Sequence, residues 1–195
     1  MKEVNQSVAK EKPKKNGKIA TRDVAFIALN VALMAVCSFI TVPAAVPFTL
    51  QTFGVFFALF FLGGKKGTIA VACYVLLGAF GAPVFSGFKG GIGALSGATG
   101  GYIVGFVVLA LVYRIITGVF GDKNSLKAIA AFVGLVVLYA FGTAWFVFVA
   151  SKSQTVTVKY ALLACVLPFI PFDTLKIIFA FIIGNRLRRR FPVGS

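Results

Sequence analysis

The stretch LKAIAAFVGLVVLYAFGTAWFVFVA, Leu126–Ala150, decides the fold. Its one charge, Lys127, sits at the edge of the run. About 20 apolar residues at 1.5 Å each suffice for a helix to cross a hydrocarbon core of about 30 Å. This run is long enough to cross with tilt. Five further stretches qualify on the same ground: Val24–Val42, Val46–Leu62, Thr68–Val84, Thr99–Ile116 and Tyr160–Gly184. Gln51 and Thr52 interrupt the second, the polar turn Gly63-Gly64-Lys65-Lys66-Gly67 precedes the third, and Pro168 and Pro171 interrupt the last.

The whole chain agrees with this reading. Of its 195 residues, 59% are hydrophobic and only 13% are charged, about half the share in soluble domains. A soluble surface needs far more polar material, so composition excludes an ordinary cytoplasmic enzyme. The chain has no His, which removes the commonest metal ligand and acid–base group. Cys37, Cys73 and Cys165 all lie in apolar runs, with no zinc spacing, and read as small buried hydrophobes. The expected fold is an all-α integral membrane protein of six transmembrane helices.

Charge position sets the orientation. With both termini cytoplasmic, sixteen bases fall inside: seven in the first 23 residues, then Lys65, Lys66, Arg114, Lys123, Lys127, Arg186, Arg188, Arg189 and Arg190. Only Lys89, Lys152 and Lys159 fall outside, and Lys176 lies within the last stretch. That asymmetry follows the positive-inside rule. It explains the +15 net charge without a nucleic-acid partner, because the basic clusters flank spans and carry no interleaved aromatics. The expected organisation is a basic, disordered cytoplasmic tail over 1–23, a membrane domain over 24–190 and a short tail over 191–195. No hydrophilic block is large enough for a second soluble domain.

Two outer connections stand out. Thr41 to Phe48 carries Pro43 and Pro47, and Gly78 to Gly101 holds nine glycines. Glycine lets backbone approach a ligand closely or lets helices pack; Gly97, Gly101 and Gly105 have the spacing of one helix face. The run lacks the Gly-Lys-Ser/Thr ending of a phosphate loop, so the chain shows no ATPase of its own. Trp145 reads as an interface anchor, and Tyr139 could cap an apolar ligand.

Four of the five acids lie outside the spans or at their edges; Asp173 lies 13 residues into the last, near mid-membrane, with Lys176 one turn further on. Residues i and i+3 share a helix face. A charge at membrane depth costs about 2.5–3.5 kcal/mol on insertion scales, so the pair faces the bundle interior or a wet cavity. Three readings stay open: a charge pair locking helix packing, a proton relay and a ligand site. For the last, a carboxylate accepts from ligand N–H groups while an ammonium donates to ligand oxygens.

At this point the residues resemble a family. Gly78-Ala-Phe-Gly-Ala-Pro83-Val-Phe85-Ser-Gly87-Phe-Lys89-Gly90-Gly91, with Gly97-Ala-Thr99-Gly100-Gly101-Tyr102 after it, is similar to the signature of the BioY family. These are the biotin-binding S components of energy-coupling factor (ECF) vitamin transporters. Pro47-Phe48-Thr49-Leu50-Gln51-Thr52, Gly142-Thr-Ala-Trp145 and Leu167-Pro168-Phe-Ile-Pro171-Phe-Asp173-Thr-Leu-Lys176 resemble the family in the same order, over about Thr21 to Arg190. Ala98 departs from the family's usual proline, and Lys89 stands where many relatives carry arginine.

The resemblance implies a six-helix plasma-membrane protein that captures biotin near the extracellular face. It implies no enzyme activity and no cofactor: ATP is used by two partner ABC-type ATPases, joined through a transmembrane coupling subunit. Asp173 would accept from the ureido N–H groups. Lys176 would donate to the ureido oxygen or neutralise the ligand carboxylate, and Lys89 would pair with the valerate carboxylate. Gln51, Thr49 and Thr99 would offer neutral hydrogen bonds, Phe85, Phe48 and Tyr102 would pack on ring and chain, and Gly90 and Gly91 of the outer loop would complete the substrate-binding set. Ala28 and Ala32 would form the small-residue stripe against the coupling subunit. The competing readings are an S component for thiamine or riboflavin, a solitary small-molecule transporter and a lipid-binding membrane scaffold.

Overall fold

In the computed structural model the residues described are 20–43, 46–151 and 158–191. Most of the basic tail, Lys152, residues 192–195 and the Cys165 side chain lie outside that description. The first helix, α1 (Thr21–Phe39), buries Ile27, Asn30, Val31, Met34, Cys37 and Ser38. That spacing of three and four gives one inward stripe. Its other face exposes Val24, Ala28, Leu29, Ala32 and Val36.

A short ladder follows, so the chain is not purely helical. β1 (Thr41–Val42) pairs antiparallel with β2 (Phe48–Thr49), Thr41 opposite Thr49 and Val42 opposite Phe48. The ladder turns the chain from α1 into α2 (Gln51–Ala79). The second apolar stretch therefore becomes helical at Gln51 and not at Val46, because residues 46–50 make this turn.

Within α2, Gly63 is not helical: its φ is 81° and its ψ 171°, a conformation essentially reserved for glycine. The chain doubles back there. A Cβ at Gly67 would lie 2.9 Å from Leu59 Cα, and Gln51 meets Tyr74 at 2.9 Å. These pairings run in opposite directions along the sequence, so the two limbs are antiparallel. The turn expected over 63–67 thus collapses onto one residue. Lys65, Lys66 and Gly67 are helical, and Lys66 is buried against Asp23 at 2.7 Å. The second limb ends at Ala79 rather than Val84.

After a loop and the short α3 (Ile92–Ser96) come α4 (Gly100–Phe120) and α5 (Asn124–Ala150). These two pack by glycine against bulk. A Cβ at Gly101 would overlap Trp145, and one at Gly142 would overlap the Tyr102 ring. A Cβ at Gly105 would lie 2.8 Å from Leu138, and one at Gly134 would lie 3.1 Å from Leu109. Small residues let the backbones approach, as membrane helices require. Gly97 does not share this face; it lies before α4, at the end of α3. Trp145 is likewise no free anchor, since its indole N–H donates to Gly97 O at 3.0 Å.

The last apolar stretch is two helices, α6 (Val158–Cys165) and α7 (Phe169–Arg190). Pro168 sits at the break. Pro171 falls in the first turn of α7, where its missing N–H would have no helical acceptor anyway. Asp173 is therefore the fifth residue of α7, near a helix start rather than midway along a continuous span.

The core forms around α2, whose Val55, Phe56, Leu59, Phe60, Ala70, Val71 and Tyr74 are fully enclosed. Outward, the fold exposes Leu29, Val36, Ile115, Phe132, Phe148, Phe179 and Ile182. So much exposed apolar surface suits lipid, not water. Among the described residues α1, α2, α4 and α5 are long and apolar enough to cross a membrane. The chain is an all-α multi-pass membrane protein. One end of the bundle carries the Gly63 turn and the ion pairs of Asp122 with Arg188 (3.0 Å) and Lys127 (3.4 Å). The other end carries the ladder and the starts of α4 and α7.

Candidate ligand-binding cavity

At the end opposite the basic cluster, the helices enclose a cavity of about 530 Å³, within the range for small-molecule sites. β2 supplies Thr49, the start of α2 supplies Gln51 and Thr52, and the 85–90 loop supplies Phe85, Ser86 and Lys89. Thr99 comes from the cap of α4, Tyr102 and Phe106 from α4 itself, Tyr139 from α5, and Phe169, Asp173 and Lys176 from α7.

Asp173 and Lys176 form its most polar wall. They are 2.8 Å apart and almost fully buried. Asp173 Oδ1 also accepts from Thr52 Oγ1 at 2.8 Å, and Oδ2 accepts from Tyr139 Oη at 2.6 Å. The Lys176 ammonium donates to Thr49 O (2.6 Å), Thr52 Oγ1 (3.1 Å) and Asp173 Oδ1 (2.8 Å). All three of its protons are committed within the protein. It also lies 3.8 Å from the centre of the Phe48 ring, a cation–π contact. Among the described residues Oδ2 accepts one bond, and a carboxylate oxygen has capacity for another. Buried charges persist only when paired and hydrogen-bonded in this way.

The outer loop is tied down at its root. Ser38 Oγ and Tyr74 Oη both donate to Val84 O, at 2.6 and 2.8 Å. Thr41 and Ser86 hydroxyls meet at 3.0 Å, and Phe85 N–H donates to Lys89 O at 2.9 Å. Gly78 has no side chain because the Phe85 ring fills that space. Beyond this root the loop is exposed, and it holds Lys89 at the mouth.

Of the expected ligand residues, Asp173, Lys176, Lys89, Gln51, Thr49, Phe48, Phe85, Gly90, Thr99 and Tyr102 all line this one cavity. Gly91 does not: its N–H donates to Gly78 O at 2.7 Å, and with φ at 84° it starts α3. Ala28 and Ala32 lie elsewhere, exposed on α1. The sequence points to no role for Thr52, and for Tyr139 only to an apolar cap, not to a hydrogen bond. Their part appears only when residues 121 and 34 positions apart meet at Asp173.

A membrane bundle with a half-open, vitamin-sized cavity and a buried charged pair on its wall defines an integral-membrane binding protein for a small solute. A family model, BioY, matches residues 9–193. The chain belongs to the BioY family. It is 41% identical to the biotin transporter BioY of Thermotoga maritima, over 81% of this chain and 90% of that one. It is 37% identical to the probable biotin transporter BioY of Pyrococcus horikoshii, over 86% of this chain and 96% of that one. Its fold matches the 2.1 Å crystal structure of the S-component for biotin from an ECF-type ABC transporter. That match has a TM-score of 0.76 and 25% identity, and it covers 86% of this chain and 91% of that one.

Proposed function

We propose that this chain is the substrate-capturing S component of an ECF-type transporter and that biotin is its vitamin. The observation that carries the proposal is the Asp173–Lys176 pair on the wall of a vitamin-sized cavity. The protein is a transport subunit of the plasma membrane and not an enzyme. It needs no cofactor, and ATP hydrolysis falls to partner subunits.

The roles follow from which atoms are open. Asp173 Oδ2 receives a ureido N–H. Lys176 holds the Asp173 carboxylate in place; it reaches a ligand oxygen only by releasing one of its three protein acceptors. Thr49 and Thr99 hydroxyls offer donors to the ureido oxygen. Phe48, Phe85 and Tyr102 pack on the ring and the aliphatic chain, and Lys89 at the mouth attracts the carboxylate. With Asp173 and Lys176 cancelling, Lys89 leaves the cavity positive, which favours an anionic ligand and disfavours cationic thiamine.

Six membrane crossings arise when the two limbs of α2 count separately and α6 with α7 count as one broken crossing. The basic end then lies in the cytoplasm by the positive-inside rule, and the cavity opens outward. The exposed Ala28 and Ala32, one turn apart on α1, form a flat surface for a transmembrane coupling subunit, which recruits two ABC-type ATPases. Mass spectrometry of ligand released from protein purified out of vitamin-fed cells tests the assignment. Biotin is the expected mass; thiamine or riboflavin in its place would sink the biotin reading.

A further inference from the structure

We infer that Tyr74, which lies outside the cavity wall, sets head-group specificity by fixing Gln51 as a hydrogen-bond acceptor. This rests on the biotin reading above. The Val84 carbonyl can only accept, so the Tyr74 hydroxyl, 2.8 Å away, spends its proton there. The Tyr74 oxygen can then only receive from Gln51, 2.9 Å away. Gln51 must therefore present Nε2 to Tyr74. An amide carries a donor on one arm and an acceptor on the other, so the anchored nitrogen leaves Oε1 as the group a ligand donor can reach. Gln51 lines the cavity, and Tyr74 is fully enclosed.

The cavity thus holds two fixed acceptors, Asp173 Oδ2 and Gln51 Oε1, while the nearby cation Lys176 has no proton to spare. Two acceptors suit a head group with two N–H donors, which a cyclic urea supplies. A head group offering an oxygen in place of either N–H would face a lone pair instead. Tyr74 does not touch the ligand; it is a positioning residue. The same hydroxyl also holds Val84, the root of the loop that carries Phe85 and Lys89.

The test compares biotin with the two cyclic carbamate analogues in which one ureido N–H or the other is replaced by oxygen. Binding is measured by calorimetry on the purified full chain. The wild type is expected to disfavour each carbamate at least tenfold. Tyr74→Phe keeps the ring, which stands edge-on to Phe85 at 5.7 Å, but frees the Gln51 amide to rotate. It should bind biotin about tenfold more weakly. Its discrimination against one carbamate should fall to within about threefold, and that against the other, facing Asp173, should persist. Should Tyr74→Phe fail to give a monodisperse protein, Gln51→Met carries the test, with the same selective loss expected. Both discriminations surviving in the variant would overturn the inference, whatever the change in biotin affinity. Failure of the wild type to bind biotin would instead overturn the reading on which it rests.

Discussion

Replacing Asp173 with Asn changes one oxygen to a nitrogen without altering shape, and the outcome can be worked from the contacts. Oδ1 receives Lys176 and Thr52, so the amide keeps its oxygen there. The NH₂ then takes the place of Oδ2, beside Tyr139. The Tyr139 hydroxyl can turn to accept, but a ligand N–H cannot. The ligand loses one hydrogen bond to a charged acceptor, worth about 1.5–3 kcal/mol. At about 1.4 kcal/mol per decade, biotin affinity should fall roughly 10- to 150-fold. Lys176 meanwhile keeps neutral acceptors but loses its counter-charge, so the thermal midpoint in detergent should drop as well. Titration calorimetry on folded, monodisperse variant reads the affinity directly. An affinity within threefold of wild type would refute the reasoning that Asp173 Oδ2 meets the ligand.

Other perturbations separate the remaining parts. Lys89→Gln should weaken biotin binding by about three- to tenfold, with the loss shrinking at high salt, and should leave biotin methyl ester unaffected; equal losses for acid and ester would exclude a carboxylate role. Gly142→Ala forces a methyl into the Tyr102 ring, and such overpacking costs about 1–3 kcal/mol. A lower unfolding midpoint with weaker ligand binding is expected, since Tyr102 lines the cavity. Gly63→Ala puts a side chain at φ 81°, at a cost of about 1–3 kcal/mol, and should lower the midpoint while leaving biotin affinity of the folded fraction intact. Ala28→Leu should spare biotin binding and reduce co-purification of the coupling subunit, which a pull-down would show.

The parts of the site that were legible in the sequence share one physical reason. A charge inside an apolar run is costly, so Asp173 and Lys176 announced themselves. Phe48, Phe85, Gly90 and Lys89 drew notice through resemblance and an unusual glycine density, and the cavity gathers them. What stayed hidden depends on pairing across distance. Tyr74 looks like an ordinary core aromatic, and Tyr139 like an apolar cap, until their hydroxyls meet Gln51 and Asp173. Gly91 is indistinguishable from Gly90 in the sequence and yet bonds back to Gly78 outside the cavity wall. Boundaries failed for local reasons. Apolar content does not reveal that Gly63 alone makes the reversal, nor that Lys66 is helical and buried beside Asp23. Similarly, two prolines three residues apart do not say which one breaks the helix; position relative to the new N-terminus decides.

If the cavity is the biotin site, this chain alone recognises biotin. Calorimetric titration of the purified subunit with biotin, thiamine and riboflavin addresses it most directly. Saturable one-to-one binding of biotin, with no heat of binding from the other two, is the predicted result. A subunit that is folded and monodisperse, yet silent to biotin or responsive to thiamine or riboflavin instead, would contradict it.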